Sequence, residues 1–272
     1  MKKHKIIAIF ILLLALGVTA YAGLQLYAIN DIYREGNAAY DDLSGQVRRI
    51  VAYEPDTDTP SNTALPDHAP QRTPQRTPQV EIIPMEIDFE ALNTLDENIA
   101  AWLYSPNTVI DYPIMMADDY SYYLNHLPNG ARNANGSLFI DFNCAPDFTD
   151  PLTVVYGHNM KSGRMFGSLS GYKAQGYFDK HPYMYLYTHQ GNYRVDLLYG
   201  CVIAAGQWRE RAFMYAANLN ALLTYAAHNT TFTSAIQYED GDRVIALSTC
   251  SYEFDDARYV VIGILTPEYG DP

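Results

Sequence analysis

The sequence predicts a mainly β domain with appended helices. Three observations point there. Short runs rich in β-branched and aromatic residues recur at 109–114, 137–142, 152–156, 183–187, 193–204, 243–247 and 258–265, parted by Gly, Asn and Pro. Such spacing is the pattern of a β-barrel or sandwich. One longer helical stretch, about 212–229, interrupts the late runs, with Phe213, Leu219, Leu222, Leu223 and Ala226 among its apolar residues. The helical patterns otherwise crowd into the N-terminal third.

Residues 1–29 come first. Lys2-Lys3-His4-Lys5 precedes an apolar run over 6–29, broken by Thr19, Gln25 and small residues. About 20 apolar residues span a bilayer as a helix, and the basic cluster before the run keeps the N-terminus cytoplasmic. The expectation is a single-pass anchor with everything after it outside the cell. A cleaved signal peptide is the rival reading: its apolar core would be 6–18 and Ala20-Tyr21-Ala22 its cleavage site. Both readings export the rest of the chain.

Residues 30–54 alternate charged side chains with Ile32, Tyr33, Tyr40, Leu43, Val47 and Ile50. That spacing predicts a weakly amphipathic juxtamembrane helix continuing the anchor, with Gly36 and Gly45 counting against it. Residues 55–84 are Pro-rich, and Gln71-Arg72-Thr73-Pro74 repeats as Gln75-Arg76-Thr77-Pro78. No core can form from this composition, so an extended linker is expected, serving as a stalk that lifts the domain off the membrane. Residues 85–272 form the candidate domain. It opens with Asp88 as N-cap of a helix that presents Phe89, Leu92, Leu95 and Ile99 on one face.

Composition excludes some functions. The net charge of −13 argues against nucleic acid, which needs a basic surface. The three cysteines, Cys144, Cys201 and Cys250, are an odd number, so at least one thiol is free or pairs between chains. Their wide spacing, with no CxxC, speaks against a zinc site, and no metal or other cofactor is expected. The 24 Tyr suit half-exposed strands and grooves.

The chemistry concentrates at strand ends. Val244-Ile245-Ala246-Leu247-Ser248-Thr249-Cys250 is an apolar strand running into a polar terminus, and Arg258 opens the next strand. If those strands pair, Cys250 and Arg258 meet across one rim of the sheet. A nucleophilic thiol needs a base or a positive field, since the thiolate is the attacking species. His158 ends the run at 152–156 through Gly157, where a glycine permits a tight turn. His126 is the runner-up. Arg258 offers a permanent charge and a rigid fork of donors for the oxygen that turns negative in acyl transfer. Cys201 sits mid-strand and Cys144 in a loop, and neither is assigned a role.

With these residues assembled, the chain resembles the sortases, most closely class B. The likeness rests on Leu247-Ser248-Thr249-Cys250 followed by Arg258, and on Val155-Tyr156-Gly157-His158-Asn159-Met160. It extends to Ile110-Asp111-Tyr112-Pro113, Tyr123-Leu124-Asn125-His126, Met165-Phe166-Gly167-Ser168-Leu169 and Ser251-Tyr252-Glu253-Phe254-Asp255-Asp256. It covers about residues 85–266, with the helix near 212–229 lying where class B members carry an extra one. The resemblance implies an eight-stranded β-barrel with N-terminal helices. It implies a thiol transpeptidase acting at a Gram-positive cell surface, with Cys250, His158 and Arg258 catalytic and Asn125, Tyr156 and Ser248 lining the substrate groove. Sorting-signal-bearing surface proteins would be cleaved after Thr and passed, through a thioester, to a lipid II-type cell-wall amine or a pilin lysine.

Two other functions fit the same features. A surface cysteine peptidase would release the acyl group to water alone. A non-enzymatic adhesin would account for the Tyr-rich exported domain and would tolerate loss of Cys250.

Overall fold

The structure, a computed structural model, describes residues 2–50, 85–210, 213 and 215–268. The expected Pro-rich linker, 55–84, lies outside the described residues.

The N-terminal patterns merge into one helix, α1 (Lys2–Val47). Its first part is long and apolar enough to cross a membrane, and none of that stretch is buried by the rest of the chain. Its last turns are different. Tyr40, Leu43 and Val47 are buried against the folded domain, and the Tyr40 hydroxyl donates to the Gly136 carbonyl at 2.5 Å. The amphipathic spacing seen in the sequence is therefore a docking face. Gly36 has a packing reason: a Cβ there would come within 2.5 Å of Asn133 Oδ1 and 2.6 Å of Asn135 Nδ2. Asn133 Nδ2 donates to the Ile32 carbonyl at 2.9 Å, and Asn135 Nδ2 to Asn37 Oδ1 at 3.0 Å.

After α1 the chain forms β1 (Arg48–Ile50), which pairs antiparallel with β2 (Met85–Ile87), Ile50 opposite Met85. Ile50 and Met85, which flank residues 51–84, thus lie side by side at the same end of one strand pair. Arg48 forms an ion pair with Asp111, whose other oxygen accepts from Trp102 Nε1 at 2.7 Å, tying β1 to the sheet.

α2 (Phe89–Leu95) starts at its N-cap, where Asp88 accepts from the Ala91 N–H at 2.9 Å. It is shorter than expected. Asp96 takes the Asn98 N–H at 2.8 Å and turns the chain, so Ile99 opens β3 (Ile99–Tyr104). Ile-Ala-Ala-Trp-Leu-Tyr shows no period of two because it is buried on both faces, and so it carried no strand signal.

The remaining elements are β4 (Asp111–Met115), β5 (Leu138–Ile140), β6 (Leu152–Tyr156), α3 (Gln175–Phe178), β7 (Tyr183–Thr188), β8 (Gly191–Ala204), α4 (Ala205–Glu210), α5 (Leu219–Asn229), β9 (Val244–Cys250) and β10 (Ala257–Glu268). Eight strands close a barrel in the order β10-β8-β7-β3-β4-β5-β6-β9. The β4–β5 and β6–β9 pairs are parallel and the others antiparallel. Closure removes the unpaired edges that an open sheet would expose.

Side chains alternate across the barrel wall. Ile245, Leu247, Val155, Tyr259 and Val261 join residues from every barrel strand in the interior cluster. Val244, Ala246, Leu152, Val154, Val260 and Ile262 form an outer cluster under α4 and α5, with Trp208, Leu222 and Ala226. The late helix expected at about 212–229 is thus α5, beginning at Leu219 after a 3₁₀ turn, Ala216–Asn218.

Candidate active site

Three adjacent strands reach one rim of the barrel. In the parallel β6–β9 pair Tyr156 faces Ser248, and in the antiparallel β9–β10 pair Cys250 faces Arg258. His158 follows Tyr156 by two positions, as Cys250 follows Ser248. Neighbouring strands lie about 4.8 Å apart, so the register gathers His158, Cys250 and Arg258 at one place. By the same alternation, Cys250, Ser248, Arg258 and Tyr156 belong to the outer face that α4 and α5 partly cover.

The backbone between these strands is cross-linked beyond the ladder. The Gly157 N–H donates to the Ser248 carbonyl at 3.2 Å. Thr249 Oγ1 donates to the Gly157 carbonyl at 2.7 Å, and Asn159 Nδ2 to the Cys250 carbonyl at 2.7 Å. Each such bond contributes about 0.5–1.5 kcal/mol net; together they fix the His158 segment to the Cys250 strand end. Gly157 serves by its lack of bulk, since a Cβ would collide with Leu138 Cδ2 and lie 2.6 Å from the Phe166 ring. Its φ is not in the left-handed region, so close packing, and not turn geometry, requires glycine here.

His158 is half-buried, and its Nε2 lies 2.7 Å from the Leu124 carbonyl. A carbonyl only accepts, so Nε2 carries the hydrogen and Nδ1 is the nitrogen left for proton exchange. Leu124 ends a 3₁₀ turn, Tyr122–Leu124, whose Tyr123 carbonyl accepts from Ser137 N at 2.8 Å. That same 133–137 stretch is gripped by α1 through Tyr40 and Gly36.

Cys250 is exposed, Cys144 half-buried and Cys201 buried, and all three are free thiols. Burial pushes the Cys144 thiol up to about 11 and the Cys201 thiol up to about 12. Neither is poised to react near neutral pH. Arg258 is half-buried, with one guanidinium nitrogen 3.0 Å from the Ala257 carbonyl.

The three expected groove residues are placed unequally. Tyr156 is half-buried and donates to Asp141 Oδ2 at 2.9 Å. Burial, and then the Asp141 carboxylate, raise its phenol well above the usual range, so it stays a protonated donor. Ser248 is 1% exposed, and its Oγ has no hydrogen-bond partner among the described residues. Asn125 is exposed directly after Leu124, and its carbonyl accepts from Asn133 N at 2.9 Å. His126, the runner-up, is half-buried and stacked on Tyr122 at 4.0 Å, with Nδ1 2.7 Å from the Tyr122 carbonyl.

Sequence reading passed over three residues that shape the site. Asn159 and Thr249 lie inside its motifs, but their bonds cross between strands and are invisible without the register. Asp141 is 1% exposed and accepts from both Tyr156 and Tyr120, at 2.9 and 3.0 Å. Its only trace in the sequence is a carboxylate at the end of an apolar run.

No family model matches the chain. Individual proteins do. Sortase B of Listeria monocytogenes is 31% identical over 177 residues, which is 64% of this chain and 72% of that protein. Among solved structures, a Bacillus anthracis protein similar to sortase B is 28% identical, with a TM-score of 0.60 over 68% of this chain and 85% of that one. Clostridium perfringens sortase B, solved in a mutant form, is 25% identical, with a TM-score of 0.61 over 65% and 85% of the two chains.

Proposed function

The chain belongs to the sortase B family of cysteine transpeptidases, and from that premise we propose that Cys250, His158 and Arg258 carry out acyl transfer on a C-terminal sorting signal. The Cys250 thiolate attacks the carbonyl of a Thr in the signal. The C–N bond breaks, the leaving amine takes a proton from His158, and a thioester remains on sulfur. An incoming amine then attacks that thioester, gives its proton to His158 and restores the thiolate. Arg258 donates to the carbonyl oxygen while it bears negative charge, a role in which a fixed donor is worth several kcal/mol. Splitting the reaction through a covalent intermediate also holds the acyl group until the amine arrives.

The observation that carries this reading is the Cys250–Arg258 register pair, with His158 two residues past the end of the neighbouring strand β6. Two facts about relatives bear on the reactants. Staphylococcus aureus sortase B has been solved in complex with a substrate, and a sortase B has been solved with triglycine. Here too the acceptor is read as a primary amine, of cell-wall precursor or pilin origin. Asn125 and Tyr156 are proposed to line the groove, with the Ser248 hydroxyl just beneath it. The apolar part of α1 is proposed as a single-pass anchor that leaves the barrel, within the 85–272 domain, outside the cell.

The test is a panel of peptides of the N-P-x-T-N and L-P-x-T-G types, incubated with the full chain with and without triglycine or a diaminopimelate-bearing peptide. Cleavage after Thr and an amine-dependent ligated product are expected, both lost in Cys250→Ala. Hydrolysis that no amine diverts would instead make the protein a peptidase. Membership of a transpeptidase family removes the adhesin reading.

A further inference from the structure

One segment outside the strands bonds to the backbones of His158 and Cys250 and to residues beside Cys250 and Arg258. It follows His158 directly and ends at Lys173. At its start the Phe166 N–H donates to the His158 carbonyl at 3.0 Å, and Met165 bridges to Asn159. From there a 3₁₀ turn, Gly167–Lys173, runs to the β9–β10 connector, residues 251–256, which joins Cys250 to Arg258.

Lys173 makes the second attachment. Its ammonium donates to Ser251 Oγ at 2.9 Å, pairs with Glu253 Oε1, and lies 5.1 Å from the centre of the Tyr259 ring. Ser251 Oγ itself donates to the other Glu253 oxygen. Tyr259 is held in turn by a 2.6 Å bond between its hydroxyl and Thr231 Oγ1. Burial alone would raise the Glu253 carboxyl, but its bonds from Lys173 and Ser251 outweigh that and hold it below the usual carboxylate range.

An isolated surface ion pair contributes little. This ammonium instead meets three groups of one hairpin, two on the connector and one on β10. The connector has reason to need fixing. Asp256 sits at φ 60°, a left-handed conformation that side chains other than glycine seldom adopt. The connector closes through the Ser251 N–H to Ala257 carbonyl bond at 2.8 Å. Slack in it would loosen the Cys250–Arg258 end of the β9–β10 pair and leave the rest of the barrel in place.

We propose that Lys173 is a positioning residue for the transfer reaction, the far end of a brace that runs from the His158 backbone to the Cys250–Arg258 connector. This rests on the assignment of those three residues made above. The experiment uses the full chain in detergent micelles and whichever N-P-x-T-N or L-P-x-T-G peptide the wild type turns over fastest. In Lys173→Met, kcat falls about tenfold or more, as small misplacements of reacting groups do, while KM stays within about twofold. Hydrogen exchange quickens in peptides covering 251–257 and not in the remaining barrel strands. Lys173→Arg keeps most of the activity. The exchanged pair Lys173→Glu with Glu253→Lys recovers more than half of the kcat that either single change loses. Wild-type kcat in Lys173→Met, a loss seen only in KM, or an exchanged pair no better than its singles would each overturn the brace. Turnover retained in Cys250→Ala would instead overturn the assignment of the nucleophile; an inactive Cys250→Ala beside an unaffected Lys173→Met overturns the brace alone.

Discussion

Cys250 and Arg258 are direct register partners across β9 and β10, with Cys250 last on its strand and Arg258 second on the other. Antiparallel neighbours in such a position hold their Cα atoms about 4.5–5.5 Å apart. Backbone pairing thereby sets the two residues side by side, and side-chain contacts on the connector aim the thiol and the guanidinium.

Arg258→Lys tests how much the planar fork adds to the charge. A lysine keeps the charge but places it as a point on a flexible stem. We expect kcat for peptide cleavage to fall about a hundredfold, on the scale of losing an oxyanion donor, with the melting temperature unchanged. Steady-state kinetics beside thermal unfolding checks both halves.

Asn159→Ala removes the amide that holds the Cys250 carbonyl. About 0.5–1.5 kcal/mol of stability goes with one hydrogen bond. The larger effect should be on turnover, about tenfold, because His158 and Cys250 lose a link between their strand ends. Denaturant unfolding and kcat/KM, measured on the same preparation, separate the two.

Gly36→Ala and Gly45→Ala should have opposite signs. Both glycines lie within α1, where alanine is ordinarily better by about 0.5–1 kcal/mol. A Cβ at Gly45 meets nothing within 4 Å, so that variant gains stability. At Gly36 the Cβ collides with the hydrogen-bonded amides of Asn133 and Asn135, so about 1–3 kcal/mol is lost. Thermal melts of the two variants decide it.

Thiol labelling at pH 8 should mark one cysteine. Exposed Cys250 reacts with iodoacetamide, while half-buried Cys144 and buried Cys201 stay protonated at that pH. The linked stability follows the same sign. A thiol whose folded pKa is raised from 9 to about 11 or about 12 contributes fully below pH 9, and that contribution is lost as pH rises through 9 to 12. Peptide mapping after alkylation, and unfolding as a function of alkaline pH, report the two effects.

Replacing residues 51–84 by a two-residue Asn-Gly turn should leave peptide cleavage intact. Ile50 and Met85 already face each other, so the short turn only closes a hairpin that exists. Shortening the loop removes closure entropy worth about 2.5 kcal/mol. Loss of the fold or of activity in the replaced chain would count against pairing of β1 with β2.

Much of this was legible in the sequence. Six of the seven apolar runs lie over strands with ends displaced by a few residues, and 152–156 matches β6 at both ends. The strand-end positions of His158, Cys250 and Arg258 were readable because each follows or opens such a run. What escaped notice needed the third dimension. β3 is apolar on both faces and has no period of two to announce it. The partners of Gly36 lie about a hundred residues away, so its role looked like a helix defect. Lys173 reads as one charge among many until the closure of the barrel brings it to Glu253.

An unbroken α1 would limit what the enzyme can reach from a membrane. With its apolar part in the bilayer as proposed, the same rod that crosses the lipid is bolted to the barrel at Tyr40, Leu43 and Val47. Only about 16 Å of helix parts Ile29 from Tyr40, at 1.5 Å per residue. The catalytic rim would thus work at a set elevation and heading over the lipid, and cargo would have to thread its tail into that narrow layer.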